Sequence, residues 1–256
     1  MSDLFAEIRY QKNFLREVIA RIDFLNPLPG MDLALPAPLT EEAIRAFPIP
    51  EPHDVLSHEV QFGPEGVTKA SEERIKEWHF HGKERTKTLT IGRQVVLVRH
   101  KMYQTYDPIK AEFVRILEQI DNLFPNIQAA RIGLRYINQI ELTEGNPTDW
   151  SAYIAPELLS LFRFPSDVDQ AALSRILHNL ELSYDTFNLR CRFGMHNPDY
   201  PARIKRKIFI LDLDSYVQSV VEVKEISRLL DEFHSTIQRY FEQSITDNLR
   251  RIMNAD

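Results

Sequence analysis

The chain has 256 residues, of which 43% are hydrophobic and 27% charged, and its formal net charge is −6. Such a chain is long enough to bury a large core, and its acidic balance argues against general binding to nucleic acids or to a membrane surface. Its single cysteine, Cys191, excludes an internal disulfide and a cysteine-rich metal site. We expect a cytoplasmic protein, because no apolar run reaches the roughly 20 residues of a membrane span and MSDLFAEIRYQKN does not resemble a signal peptide.

The first 52 residues are predicted to contain one strand followed by a proline-rich loop. Residues 15–24 alternate between apolar and polar side chains, which is typical of a half-buried strand. Seven of the fifteen prolines lie between Pro27 and Pro52, and this density predicts an extended surface loop. Within the loop, only TEEAIRAF (40–47) is predicted to be helical, with Thr40 as its N-cap.

Residues 55–125 are predicted to form four strands and a helix. Glycine-containing turns connect the strands as an antiparallel meander, and the strands cover residues 55–62, 75–82, 86–92 and 94–100. The helix follows over 105–125, because its apolar residues recur at helical spacing along one face. Asp107 is predicted as its N-cap and Pro108 as its first helical residue, while Pro125 ends it.

The rest of the chain is predicted to be a second meander followed by a long helix. A long strand over 131–142 comes first and completes the first half. The second meander then has a short helix over 155–162 and strands over 173–184, 187–195 and 207–216. A long amphipathic helix is predicted over 222–253, and at 1.5 Å per residue it would measure roughly 48 Å. A helix of this length either crosses the whole molecule, breaks near Ser244–Thr246, or projects into a partner.

These elements indicate the α+β class, with antiparallel sheets arranged in two sheet-plus-helix halves. The first half covers 1–145, and the second covers 146–256 and includes the long C-terminal amphipathic helix. We expect the two halves to form one compact unit. No glycine-rich loop follows a predicted strand, so the sequence argues against Rossmann and P-loop nucleotide binding.

The segment RIGLRYINQIEL (131–142) is the richest candidate site. As a strand, it places one arginine on each side of Gly133, two residues away. A glycine inside a strand marks a bulge or a close approach of another part of the backbone. The apolar face of the strand carries an asparagine. One interpretation is an anion-binding groove, since guanidinium groups suit carboxylates and phosphates. Its residues would be Arg131, Arg135, Asn138, Arg190 and Arg192. The interpretation that we prefer pairs these arginines with carboxylates on neighbouring strands and Asn138 with backbone groups.

An acidic cluster, Asp212 and Asp214, is predicted to supply those carboxylates. An Asp-x-Asp pattern can hold a divalent cation, but the sequence places no third ligand, so ion pairs are the simpler interpretation. His79 and His81 share a strand face and can chelate zinc, with His100 approaching from a neighbouring strand. Partly exposed histidines are the simpler interpretation there too. We therefore expect neither a metal nor a cofactor.

Two further side chains are considered for catalysis. Cys191 lies on the apolar face of its strand, and we predict a buried, unreactive thiol. His234 follows Phe233 on the long helix, and we predict that it lies at the edge of the core or at an interface. No Gly-x-Ser-x-Gly pattern is present. Nucleophilic catalysis therefore has little support in the sequence.

The RIGLRYIN strand resembles a segment that marks a sporadically distributed family of uncharacterised bacterial proteins. The resemblance covers most of the chain, including the segments REVIARIDF, KEWHFHG, YDPIKAEFVRIL, LDLD and FEQSITDNLRRIM. A tryptophan that this family often has early in the central helix is absent here. The resemblance implies a single architectural unit and carries over no catalytic residue. The patchy distribution of the family indicates a link with mobile or defence genes.

These observations favour a non-enzymatic binding or protein-interaction module. We expect a homodimer or another homo-oligomer formed through the C-terminal helix, since a long apolar stripe is normally covered. One alternative is a metal-dependent phosphodiester or nucleotide hydrolase that uses Asp212 and Asp214, and it requires both carboxylates in an open cleft beside a third ligand. A second alternative is a carrier of lipophilic ligands, which requires a large apolar cavity.

Overall fold

The fold is built on one antiparallel sheet. The computed structural model describes residues 8–63, 66–163 and 173–254, except for the side chains of 57–73 and 163. Within those residues ten strands form the sheet: β1 (Leu15–Phe24), β2 (Ile49–Gly63), β3 (Gly66–His81), β4 (Lys87–Ile91), β5 (Val95–His100), β6 (Gln128–Leu142), β7 (Ile176–Ser183), β8 (Asn188–Met195), β9 (Lys207–Val217) and β10 (Val221–Glu222). Their order across the sheet is β2-β3-β4-β5-β1-β6-β9-β8-β7, and β10 pairs with β6.

Five helices accompany the sheet in the described part of the chain. They are α1 (Ala37–Ala46), α2 (Tyr106–Leu123), α3 (Pro156–Leu159), α4 (Ile226–Ser244) and α5 (Asp247–Asn254). A 3₁₀ turn follows α3 at Ser160–Arg163, and another precedes α4 at Val223–Glu225. α2 packs against β1 and β5, α4 packs against β6 and β9, and the two helices contact each other. No helix in the described ranges is long and apolar enough to cross a membrane.

The α+β class, the antiparallel pairing and the long C-terminal helix are confirmed. Residues 1–145 supply β1 to β6, and 146–256 supply β7 to β10. The two sets of strands meet where β6 pairs with β9, in a register that runs from Ile132 opposite Val217 to Leu142 opposite Lys207. One continuous sheet therefore runs through both predicted halves.

The proline-rich region differs from its prediction at two points. β2 begins at Ile49, so Pro50 and Pro52 belong to a strand rather than to a loop. Proline is tolerated there because β2 lies at the edge of the sheet, where N–H groups on the outer side pair with no strand. α1 begins before its predicted start, and the Thr40 hydroxyl donates to the Pro36 carbonyl at 3.2 Å instead of capping the helix.

The start of α2 differs from its prediction by the identity of the N-cap. α2 begins at Tyr106 with Thr105 as its N-cap, so Asp107 lies in the first turn rather than at the cap. A carboxylate in the first turn is stabilised by the positive end of the helix dipole. The glycine-containing turn that was predicted after the strand over 55–62 lies partly outside the described residues.

The C-terminal helix breaks where one of the three alternatives placed the break. α4 ends at Ser244, Ile245 is extended with φ −115° and ψ 155°, and α5 then begins. The backbone of this break pairs with the segment before α3, because the Ala155 N–H donates to the Ser244 carbonyl at 2.9 Å and the Thr246 N–H donates to the Tyr153 carbonyl at 3.0 Å. These bonds satisfy backbone groups that an uninterrupted helix would have paired internally.

The apolar stripe of α4 is covered within the same chain. Its residues pack against β6, β9 and α2, and the buried ones include Ile226, Leu229, Leu230, Phe233, Ile237 and Phe241. Burial of this stripe therefore needs no second copy of the protein. The homo-oligomer stays a prediction, without the exposed stripe that was its reason.

A buried cluster of charges connects α2 to the sheet. Glu112 of α2 lies 2.8 Å from His100 Nε2 of β5, and it also accepts a hydrogen bond from Lys87 of β4. Glu112 is only 8% exposed. Burial alone would raise the pKa of this carboxyl, but the hydrogen bonds from His100 and Lys87 hold its pKa below the ordinary value. The charged carboxylate is therefore stabilised in the folded protein.

We predict that Glu112→Gln lowers the free energy of unfolding by about 2 kcal/mol at pH 7, because an amide replaces a buried carboxylate that accepts charge-assisted hydrogen bonds. Since the pKa of Glu112 is depressed in the folded state, this stabilisation is present above the ordinary pKa and is lost as the pH falls through the folded-state value. Urea unfolding at a series of pH values measures the gap between the two proteins.

The control is Glu141→Gln, which removes a pair 3.4 Å long between Glu141 and Arg16 in which both side chains are well exposed. Its effect is expected to stay below about 0.5 kcal/mol. If the difference in free energy of unfolding between the wild type and Glu112→Gln does not shrink at acid pH, the charge of Glu112 does not have the stabilising role described.

Candidate functional site

Side chains of β6 alternate between the two faces of the sheet. Ile132, Leu134 and Tyr136 are buried on the face where α4 packs. Arg131 and Arg135 lie on the opposite face, and their side chains are 26% and 32% exposed. We define the polar face as this opposite face around Arg131, Arg135, Arg190, Arg192, Asp212 and Asp214, which lie on the adjacent strands β6, β9 and β8. The predicted arginines and aspartates therefore do meet.

Asp212 is the centre of the ion pairs on the polar face. It accepts two hydrogen bonds from Arg135, at 2.7 and 2.8 Å, and its Oδ2 lies 2.8 Å from Arg192. Asp212 itself is 5% exposed. β9 lies between β6 and β8, so an arginine from each side reaches the same carboxylate. This arrangement matches the ion-pair interpretation of the sequence.

The other two arginines have separate partners. Arg131 lies 3.4 Å from Asp214, and Arg190 lies 2.7 Å from Glu181 of β7. Arg190 is directly opposite Glu181 on β7 and directly opposite Asp214 on β9, and its ion pair is with Glu181. Burial raises the pKa of Asp214, and the nearby guanidinium groups of Arg131 and Arg135 only partly oppose this effect.

The carboxylates of the polar face do not meet the condition set for a hydrolase. Asp212 and Asp214 are each paired with an arginine, although Asp214 also lines a second cavity of about 370 Å³ together with Arg131 and Arg135. Among the residues that the structure describes, no three histidine, cysteine or acidic side chains are grouped so that they could hold a metal ion.

Asn138 lies on the opposite face from the arginines. Its Nδ2 donates to the Leu211 carbonyl across the β6–β9 pair at 3.2 Å, and the residue is 3% exposed. Asn138 therefore cannot join the four arginines in one groove. Gly133 stands in regular pairing without a bulge, and the Arg131 guanidinium lies 3.1 Å from the position that a Cβ would occupy. The close approach predicted at this glycine is made by an arginine side chain.

The predicted histidine pair is split between several partners. His79 and His81 share a face of β3, and their Nε2 atoms lie 3.3 Å from Glu77 and 3.2 Å from Glu51. His100 is buried and bonded to α2, so it does not approach them. Each of the three histidines therefore has a carboxylate within hydrogen-bond distance or close to it.

A cavity of about 540 Å³ lies on the α4 side of the sheet. It is enclosed by the segment before β1, the loop before α2, β6, α4 and the end of α5. The side chains that distinguish it are aromatic or polar, and they include Tyr10, Tyr103, Tyr106, Tyr136, Asn138 and His234. We call it the tyrosine–histidine cavity. A cavity of this size is within the range of roughly 300–1,000 Å³ that is typical of small-molecule sites.

Contacts between the lining side chains hold the cavity wall in place. The Tyr136 hydroxyl lies 3.2 Å from the Tyr103 hydroxyl and 2.9 Å from His234 Nδ1. The Tyr106 ring stacks on the His234 ring, with centroids 4.0 Å apart and planes 7° apart. The Tyr106 hydroxyl also donates to Asp231 at 3.2 Å. This network connects β6, α4 and the loop before α2.

The segment before β1 closes one side of the cavity. The Tyr10 hydroxyl donates to the buried Glu242 carboxylate of α4 at 2.7 Å, and Arg250 of α5 lies 3.0 Å from the same group. The Asn13 side chain donates to the Tyr103 carbonyl at 2.9 Å. These bonds hold the segment against α4 and against the loop before α2. The cavity therefore depends on elements that are distant in the sequence.

Burial keeps the phenols of the cavity protonated. It raises the pKa of Tyr103 to about 12, and it also raises the pKa values of Tyr106 and Tyr136, with Asp231 adding to the effect at Tyr106. At neutral pH these groups are neutral hydrogen-bonding hydroxyls. Burial disfavours the ionised form of each hydroxyl, so these groups can donate hydrogen bonds to a ligand.

Most side chains of the cavity were not predicted from the sequence. Asn138 was predicted on the apolar face, as observed, and His234 was predicted at the core edge or at an interface. Tyr106 entered only as part of the predicted helix, and Tyr103 was not considered. One signal was present, because Asp231 and His234 are three residues apart and so lie on one face of α4. No local pattern indicated that Tyr136 of β6 would face them.

Cys191 agrees with its prediction. The thiol is buried among apolar side chains of β8 and β9, and burial raises its pKa to about 12. A thiol with this pKa is almost entirely protonated at neutral pH and is a poor nucleophile.

No protein-family model matches the chain, and a search of the curated proteins found no match. The resemblance that the RIGLRYIN strand carries therefore stays a prediction.

We predict that Asp212→Asn and Asp214→Asn differ in their effects. Asp212→Asn is expected to lower the free energy of unfolding by roughly 2 kcal/mol at pH 7, since Arg135 and Arg192 both lose their carboxylate and are only partly solvated. Asp214→Asn, on the same strand and face, is expected not to destabilise the protein. Its wild-type carboxyl has a raised pKa, so its ionised form is disfavoured by folding.

Urea unfolding at neutral and acid pH tests the pair. A raised folded-state pKa means that stability is lost as the pH rises through that value, so any advantage of Asp214→Asn is greatest at neutral pH and vanishes under acid. Equal destabilisation by the two variants at pH 7 would contradict the different environments described for these carboxylates.

Proposed function

We propose that this protein is a non-enzymatic binding protein, and that its ligand is a small organic molecule held in the tyrosine–histidine cavity. The observation that carries the proposal is the cavity wall itself. Protein interiors are normally close-packed, and polar side chains at a cavity are costly unless they are paired. Here Tyr103, Tyr136 and His234 are paired with one another and line about 540 Å³ of space.

Preorganisation supports binding. A ligand site gains affinity when its side chains are already ordered, because less conformational entropy is lost on binding. The ring stack of Tyr106 on His234 and the bond of Tyr10 to Glu242 order the wall without a ligand. The raised pKa values of the phenols support hydrogen bonding rather than proton transfer.

The other functions have weaker support. A hydrolase based on Asp212 and Asp214 would have to displace the arginines that bind both carboxylates. An anion site at Arg131, Arg135, Arg190 and Arg192 stays a prediction, and those guanidinium groups would have to exchange present partners for the anion. A carrier of lipophilic ligands was expected to have a large apolar cavity, whereas this lining includes polar side chains such as Asn138 and His234.

The proposal also covers the cellular location, the source and the partners of the protein. We place it in the cytoplasm, as a bacterial protein, from the composition and from the resemblance given by the RIGLRYIN strand. A homodimer, a protein partner and a link with mobile or defence genes remain compatible proposals. None of them is needed for the cavity, whose lining comes from one chain.

We predict that Ser235→Trp abolishes ligand binding, because Ser235 of α4 lines the cavity and an indole would fill much of its space. Native mass spectrometry of the purified protein, repeated after denaturation, detects a co-purified ligand as a mass surplus lost on unfolding. A thermal-shift screen of small polar compounds detects ligands that do not co-purify, since binding to the folded state raises the unfolding temperature.

Gln243→Trp is the control, because Gln243 is exposed on α4 and does not line the cavity. Mass surplus or screening hits are expected in the wild type and in Gln243→Trp and are expected to disappear in Ser235→Trp. Hits that persist in Ser235→Trp would place the ligand elsewhere. No surplus and no hit with any compound would overturn the proposal.

A further inference from the structure

Two opposite charges stand at the tyrosine–histidine cavity. Arg9, before β1, and Asp107, in the first turn of α2, both line the cavity, and both residues are exposed. Both also act on the Tyr103 hydroxyl, whose pKa is raised by Asp107 and lowered by Arg9 after the larger effect of burial. Within residues 8–63, 66–163 and 173–254, neither one takes part in an ion pair. A guanidinium and a carboxylate, both exposed and without an ion-pair partner among the described residues, are therefore available to a ligand in the cavity.

The second carboxylate of the lining is in a different state. Both oxygens of Asp231 lie 2.7 Å from Lys110 Nζ, and one oxygen accepts the Tyr106 hydroxyl at 3.2 Å. Its charge is neutralised within the protein, and its position is fixed. Asp107 is thus the carboxylate that a bound cation would meet.

The space beyond these charges suits a ring. Aromatic side chains attract other rings through offset or edge-to-face contacts, and the lining offers Tyr10, Tyr103, Tyr136 and Phe241. Deeper in the cavity, Asn138 and the hydroxyl pair of Tyr103 and Tyr136 present hydrogen-bonding groups. A ligand with a charged end and an aromatic body matches this lining, which combines exposed charges with aromatic rings and hydrogen-bonding groups.

We infer that the ligand is a zwitterion with an aromatic side chain, of the size of a free amino acid or a dipeptide. Its carboxylate pairs with Arg9, its ammonium pairs with Asp107, and its ring enters among the tyrosines. A guanidinium binds a carboxylate through two parallel hydrogen bonds, which gives this end its orientation. A molecule with only one of the two charges leaves the other protein charge without a partner. This inference rests on the proposed function of the cavity.

Isothermal titration calorimetry with a matched ligand series tests the inference. Phenylalanine carries both charges, phenethylamine only the ammonium, and 3-phenylpropionate only the carboxylate, on the same ring. Phenylalanine is expected to bind at least about tenfold more tightly than either analogue, because a hydrogen bond to a charged group contributes that much. Glycylphenylalanine in the same series decides between the amino-acid and dipeptide sources.

Two variants assign the charges. Asp107→Asn is expected to weaken phenylalanine binding about tenfold and to leave 3-phenylpropionate unchanged. Arg9→Gln is expected to do the reverse, weakening phenylalanine but not phenethylamine. Asp121→Asn, on α2 outside the lining, and Arg16→Gln, on β1 outside the lining, are the controls and are expected to bind like the wild type.

Each contrary outcome overturns a distinct statement. If an analogue with one charge binds as tightly as phenylalanine, the cavity binds small molecules but the zwitterion is wrong. If no member of the series binds while other compounds give hits that Ser235→Trp abolishes, the ligand class is wrong and the proposed function stands. If no compound binds at all, both fail.

Discussion

The antiparallel pairing of β6 with β9 is the constraint on which the rest of the structure depends. It joins the strands of the two halves into one sheet and sets which side chains of each strand face each other. Side chains of a strand alternate with a period of two, so a slip of one residue would exchange the faces. Arg135 would then enter the core and Tyr136 would leave it. The observed register keeps Asn138 beside Leu211 and brings Arg135 within reach of Asp212.

The two faces of β6 differ in how their polar groups are stabilised. On the polar face, guanidinium groups and carboxylates from adjacent strands neutralise one another at distances that give charge-assisted hydrogen bonds. On the other face, most positions pack into the core, but Tyr136 and Asn138 border a cavity instead. Their polar groups are satisfied by His234 and by the Leu211 carbonyl, so the cavity persists as an ordered space. Order without close packing is what a binding site for a small molecule requires.

Much of the fold was predictable because it follows from local patterns. Alternation predicted β1 with its observed ends, and helical spacing predicted α2 and α4. The errors arose where neighbouring elements decided the outcome. Pro50 and Pro52 sit in β2, and not in the predicted loop, because that strand is at the sheet edge. The break near Ile245 was one of three outcomes left open for the long helix, and backbone hydrogen bonds to the segment before α3 accompany it.

The sequence by itself determined the class of the fold, the direction of the strands and the composition of the polar face, since these depend on the period of apolar residues and on which charges share a strand. Only the tertiary structure decided which carboxylate each arginine takes and that a cavity exists. Arg190 lies opposite both Glu181 and Asp214 on its two neighbouring strands, and it pairs with Glu181. The cavity joins Tyr10, Tyr136 and His234, which lie far apart along the chain. Such a site has no local periodicity, because its members are brought together by packing alone.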